Sequence, residues 1–173
     1  ANLFLSMFDY KGIKDYHQQL TNKTTSCLEA VDFYLDQIKN KKHLNAFVTV
    51  FAETARESAQ KLDRRRAEGK PMKSLHGVVI GIKDVICYQD HPVSAASKML
   101  EGFHSLYTAT AVKYLIEEEA IIIGSCNCDE FAMGSSNENS YYGSVINGVG
   151  ENMVPGGSSG GSAVAVQTHQ CMV

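Results

Sequence analysis

The sequence predicts an α/β protein in which helices come first and a sheet flanked by helices follows. Three observations carry that expectation. The apolar runs within His76–Asp84 and Ala120–Ile123 suit strands buried on both faces. The amphipathic stretch Thr108–Glu119 lies between them, and strand–helix–strand order points to parallel pairing. The first third repeats its apolar residues at helical spacing. A chain of 173 residues with 44% hydrophobic and 20% charged residues corresponds to about one globular domain. Collagen-like, low-complexity and largely disordered sequence are excluded by that composition.

The elements follow in order. Lys11–Leu20 is a weak helix candidate. A stronger helix begins after Ser26, where Ser26 and Glu29 form a capping box. Leu28, Val31, Leu35 and Ile38 then give one apolar face, and the polar run from Asn40 to His43 ends it. Ala46–Phe51 is β-branched and aromatic and reads as a strand. Ala52–Glu68 is charge-rich and helical, with Gly69 placed to terminate it. Arg64, Arg65 and Arg66 fall near that C-terminus, where cations suit the helix dipole. They are expected to be a solvated face, with RNA contact as the minor reading. Lys70–Ser74 is a short linker before the His76–Asp84 strand. From Gly124 to Gly161 the chain is rich in Gly, Ser and Asn, and a loop of that length is more often functional than idle. Ala163–Gln167 reads as the opening of a helix. Neither internal repeats nor a domain break is evident.

The formal net charge of −3 argues against a polyanion-binding surface covering the whole chain. Its distribution is uneven: residues 1–75 carry an excess of four positive charges and residues 76–173 an excess of seven negative ones. Lys83, Lys98 and Lys113 are the only Lys or Arg residues of the acidic part. The five cysteines are irregularly spaced, which fits free thiols in a reducing compartment better than a disulfide framework. Cys126 and Cys128 are too close together for a usual zinc pair, and no second pair follows. No metal is therefore expected. No apolar run approaches the ~20 residues that span a bilayer. The opening ANLFLSMFDY has neither a basic start nor a small-residue cleavage site, so no secretory signal is expected. Ala1 in place of an initiator Met reads as an expression remnant.

Two features carry chemistry. Lys83 stands among Val79, Ile80, Ile82, Val85 and Ile86. Lysine is rarely buried without a partner, and desolvation favours the neutral amine, which can act as a base. The competing reading is a strand-end lysine that pairs with Asp84 or extends to water. The second feature is the loop from Pro155 to Ala163, four glycines around three serines. Glycines let a backbone approach a ligand closely, and the amides opening the following helix would face the loop. A phosphate-binding loop would end in Gly-Lys-Ser/Thr, and this one does not. A nucleophile elbow matches formally through Gly157, Ser159 and Gly161, but it lacks a good preceding strand, and only His169 follows. A flexible linker is a further reading, weakened by the apolar sequence after the loop. The last reading joins the two features as a Ser–Lys system without histidine.

Three stretches are more specific. Gly81-Ile-Lys-Asp84, Asp129-Glu-Phe-Ala-Met-Gly-Ser-Ser-Asn-Glu-Asn-Ser140 and Val154-Pro-Gly-Gly-Ser-Ser-Gly-Gly-Ser162, in that order, resemble the amidase signature family. The resemblance runs from about Ser26 to Val166. It implies an α/β fold around a large mixed sheet and amide hydrolysis by a Ser–cis-Ser–Lys triad. Lys83 matches the catalytic lysine. Ser158 matches the serine preceded by a cis peptide, which relays the proton between lysine and nucleophile. Met133, Gly134 and Ser135 match the loop lining the substrate pocket. The family's nucleophile is a different serine, in an Asp-x-Gly-Gly-Ser motif roughly two dozen residues beyond the position of Ser158. By resemblance, then, residues 1–173 are an incomplete amidase-signature domain, with a helical lead-in over 1–45 and an α/β core over 46–173. By itself this piece is expected to be inactive. Departures from the family pattern are Val85, where Asn is usual, and Gly148–Glu151, where an Asn-Pro-Trp-like stretch is common.

The second and third stretches are most similar to the glutaminase branch of that family, found in glutamyl-tRNA(Gln) amidotransferases. That likeness implies glutamine as substrate, ammonia as product and a cytoplasmic location. It also implies B and C subunits as partners. Glu-tRNA(Gln) would be met mainly through the partner subunit that holds ATP and Mg2+, with no cofactor in this chain. A stand-alone amidase for small amides is the alternative, and a non-catalytic fragment that only folds or binds partners is a reading of a different class.

Overall fold

The computed structural model describes residues 8–150 and 152–173. The opening residues, Ala1 among them, and Glu151 of the Gly148–Glu151 departure lie outside the described residues.

Helix α1 spans Ile13–Thr21 and α2 spans Cys27–Asn40. The capping box forms as expected: the Ser26 hydroxyl accepts from the Glu29 amide at 3.1 Å, and the Ser26 amide donates to the Glu29 carboxylate at 2.9 Å. A second cap was not legible in the sequence. The Asp63 carboxylate accepts from the amides of Cys27 and Leu28, both at 3.0 Å, so two further orphan donors of α2 are satisfied from a distant helix. Strand β1 spans Phe47–Val50, and α3 spans Ala52–Ala67. Gly69, at φ 75°, follows the end of α3.

Strand β2 spans Val79–Lys83, α4 spans Thr110–Glu117, and β3 spans Ile121–Cys126. The strands are ordered β1-β3-β2. β2 and β3 run parallel, as strand–helix–strand order predicts, and β1 pairs antiparallel with β3, which makes the sheet mixed. Every residue of β3 is buried, as befits the central strand. β3 is longer than the apolar run alone suggested, because Gly124 and Ser125 continue the strand where their types read as loop. Beyond Gln170 the chain lies along the other edge of β2: the Met172 amide donates to the Val79 carbonyl, and the Gly81 amide to the Val173 carbonyl, both at 2.9 Å. Tyr16, Leu20, Val31, Tyr34, Val79, Ile121, Ile123 and Val164 form one continuous core with their neighbours.

The arginine cluster is less solvated than expected. Arg64 is exposed, but Arg65 pairs with the Glu119 carboxylate at 3.0 Å. Arg66 donates to the Leu20 carbonyl at the end of α1 and pairs with Asp63 at 3.2 Å. These arginines tie α3 to α1 and to the start of β3. The five cysteines are free thiols, and four of them are buried.

Candidate active site

The two parallel strands end side by side, with Lys83 in register with Cys126. Both strands then give way to loops, and the carboxyl ends of parallel strands are where open α/β sheets present ligand sites. Lys83 is the last residue of β2 and is half-buried. Its Nζ donates to the Ser158 hydroxyl at 2.5 Å and to the Ser159 hydroxyl at 2.9 Å. The loop singled out by its glycines and the lysine singled out by its apolar neighbours thus meet, although 75 residues separate Lys83 from Ser158.

Asp84 does not pair with Lys83. Its buried carboxylate accepts from the Ser94 hydroxyl at 2.5 Å and from the Ala96 amide at 2.9 Å. Asp84 therefore holds the turn at residues 94–96 and leaves the lysine to the serines. Burying a carboxylate is tolerable when hydrogen-bond donors replace water.

The serine loop leads into α5, which spans Gly160–Gln167 and so begins three residues earlier than the apolar run suggested. The Gly157–Ser158 peptide bond is cis. Gly161 lies against backbone: a Cβ there would come within 2.6 Å of the Ala46 carbonyl oxygen and 2.7 Å of the Asn127 nitrogen. That close approach requires glycine and seats α5 against the end of β3.

Two buried asparagines order the long loop after β3. Asn127 donates to the carbonyls of Asn45 and Gly143 and accepts from the Ser140 hydroxyl at 2.6 Å. Asn137 accepts from the Gly161 amide at 3.1 Å with its side-chain oxygen. Residue type gave no warning of either role, since Asn within a Gly/Ser-rich stretch reads as ordinary turn chemistry. Met133, Gly134 and Ser135 are all exposed on this loop, and Met133 is 69% exposed. The Ser135–Ser136 peptide packs against Gly157, the residue before Ser158. The three pocket residues expected from the sequence thus lie on the segment that abuts the serine loop.

The arrangement can bridge a lysine amine to a serine hydroxyl on an exposed rim, beside a loop whose side chains are free to meet a ligand. That is equipment for proton transfer to and from a nucleophile.

Comparison with known proteins finds relatives along nearly the whole chain. The sequence model of the amidase family matches residues 29–173. The A-type subunit of the glutamyl-tRNA(Gln) amidotransferase of Chlorobaculum parvum is 44% identical over 164 residues, covering 95% of this chain and 34% of that protein. Its counterpart in Salinibacter ruber is 45% identical, covering 94% of this chain and 32% of that protein. Among solved structures, a bacterial aryl acylamidase of the amidase signature family superposes with a TM-score of 0.87 at 25% identity, over 94% of this chain and 34% of that one. The peptide amidase of Stenotrophomonas maltophilia superposes with a TM-score of 0.85 at 27% identity, over 93% of this chain and 34% of that one. The chain spans about a third of the length of these relatives.

Proposed function

The chain belongs to the amidase family, and from that premise we propose that the longer protein containing it is the glutaminase component of a glutamyl-tRNA(Gln) amidotransferase. The observation that carries the reading is the contact of Lys83 Nζ with the Ser158 hydroxyl at 2.5 Å. Lys83 as the amine takes a proton through Ser158 from a serine beyond Val173. That serine attacks the amide carbon of glutamine, and the relayed proton returns to the departing nitrogen as ammonia leaves. Water then cleaves the acyl-enzyme to glutamate by the same relay. Met133, Gly134 and Ser135 line the substrate pocket on this reading.

The ammonia passes to B and C partner subunits, where Glu-tRNA(Gln), activated with ATP and Mg2+, becomes Gln-tRNA(Gln). The seven-charge negative excess of residues 76–173 supports leaving tRNA and ATP mainly to those partners. This chain itself holds no cofactor on this reading, and the site is cytoplasmic.

The direction of the chain beyond Gln170 supports a nucleophile further on. It lies beside Val79 and Gly81, and a continuing parallel strand approaches the Lys83 end of β2. Identity to the amidotransferase subunits, 44% and 45%, is higher than to the peptide amidase and the aryl acylamidase, 27% and 25%, and this favours the amidotransferase class.

The test is ammonia release from glutamine by residues 1–173 and by the full-length protein, each with and without partner subunits. The reading expects release only from the full-length chain, raised by the partners. Release from residues 1–173 alone would make Ser159 or another local group the nucleophile and overturn the mechanism. Hydrolysis of small amides with no response to partners would establish the stand-alone amidase instead.

A further inference from the structure

A buried carboxylate sits where the pocket loop meets the serine loop, and the proton relay has no use for it. Asp129 is 1% exposed and makes no ion pair among the described residues. Its backbone amide donates to the Ser158 carbonyl at 3.1 Å. Its carboxylate accepts from the Asn137 amide at 3.1 Å. Asn137 in turn accepts from the Gly161 amide in the first turn of α5. A circuit of hydrogen bonds therefore runs from the Ser158 backbone through Asp129 and Asn137 to the helix that follows Ser158.

The carboxylate also fills the space between two glycines. A Cβ on Gly134 would lie 2.5 and 2.7 Å from the two Asp129 oxygens. A Cβ on Gly157 would collide with Asp129 Oδ2 on one side and lie 2.6 Å from the Ser136 nitrogen on the other. One glycine belongs to the pocket loop, and the other immediately precedes Ser158. A buried charge without a counter-ion is costly. A small apolar residue would fill this space more cheaply if filling were its only task.

We infer that Asp129 is a positioning residue: it clamps the loop at 133–137 against Gly157 and so fixes the Ser158 hydroxyl on Lys83 Nζ. This rests on the glutaminase reading given above and adds a residue outside the proton relay itself. Asp129 acts on the chemical step through Ser158. Its loss therefore falls on kcat more than on KM. Asparagine at this position keeps an oxygen for the Asn137 amide and the same shape, so it preserves most of the function. Glutamate is one methylene too long for the space between Gly134 and Gly157.

The experiment is steady-state glutaminase kinetics on the full-length protein with its partner subunits, comparing wild type with Asp129→Ala, Asp129→Asn and Asp129→Glu. The expected result is a fall in kcat of at least tenfold for Asp129→Ala and Asp129→Glu, with any rise in KM, through the released pocket loop, smaller than that fall. Asp129→Asn should stay within fivefold of wild type in kcat. If Asp129→Ala does not fold, Asp129→Ser is judged by the same criterion. A kcat within threefold of wild type for the Ala or Ser variant overturns the inference, as does a loss confined to KM. The functional reading fails separately: it falls if the wild-type complex releases no ammonia or if Lys83→Ala remains active, whatever residue 129 does.

Discussion

Lys83 donates to two hydroxyls, and they are not equivalent. Ser158 is half-buried and lies at 2.5 Å; Ser159 is exposed and lies at 2.9 Å. If Ser158 relays the proton, Ser158→Ala lowers kcat of the full-length enzyme by about 10²–10⁴-fold, the usual contribution of a positioned acid–base group. Ser159→Ala should cost less than about tenfold on the same scale. Parallel kinetics of the two variants check this, and equal losses would speak against a distinct role for Ser158. Gly161→Ala is expected to destabilise the fold by about 1–3 kcal/mol, because backbone lies on both sides of the new methyl. A urea midpoint measures it. A lysine inside an apolar run is anomalous by type, which singles out Lys83, but local sequence alone equally suits a strand-end lysine, and only the family resemblance links it to Ser158. The serine loop was legible because four glycines around three serines demand an explanation. Asp129 and Asn137 were not legible as a clamp. Their roles come from burial against glycines distant in sequence, and no local pattern announces that.

Helix α2 shows how much of an element is local and how much is tertiary. Its capping box can be read directly from Ser26 and Glu29, and Ser26→Ala is expected to cost about 1 kcal/mol. The second cap, from Asp63 on α3, depends on helix packing that the sequence does not state. Strand limits were missed for a related reason. Gly124 and Ser125 are poor strand formers, yet they extend β3 because β1 and β2 supply hydrogen bonds on both sides. The Gly/Ser loop shortens in the same way, as Gly160 and Gly161 are recruited into α5.

The turn after α4 also carries a pH dependence. Burial pushes the Glu119 carboxyl up, but the His76 ring at 2.5 Å, the Lys73 amide and Arg65 together hold it below its ordinary value. A depressed folded-state pKa stabilises the protein above the ordinary carboxylate range. That contribution is lost as pH falls through the folded value. Glu119→Gln should therefore lower stability near neutral pH and remove this part of the acid-side decline. Thermal unfolding followed from neutral pH down through the carboxylate range checks it, and parallel curves for variant and wild type would contradict it.

At the scale of the whole molecule, this chain forms one continuous core yet leaves much apolar surface uncovered. Met99, Leu106, Tyr107, Tyr114, Met133 and Val149 are each more than 60% exposed. β1 is moreover an edge strand of the sheet, and an open strand edge is a template for pairing with another chain. Residues 1–173 alone are expected to self-associate with rising concentration, and sedimentation velocity is the check; a monomer at every concentration would contradict the expectation. No helix among the described residues is long and apolar enough to cross a membrane. The order of the sheet could be anticipated in part, since strand–helix–strand order gave the parallel pair. The antiparallel β1 at the edge followed from no local signal and emerges only in the assembled sheet.

The central claim is that Lys83 and Ser158 work together as the proton relay of an amide hydrolase. Its most direct test is ammonia release from glutamine by the full-length protein with its partners, comparing wild type with Lys83→Ala. The account predicts release by wild type and none above background for Lys83→Ala, with both proteins unfolding at closely similar temperatures. Undiminished release by Lys83→Ala would contradict it.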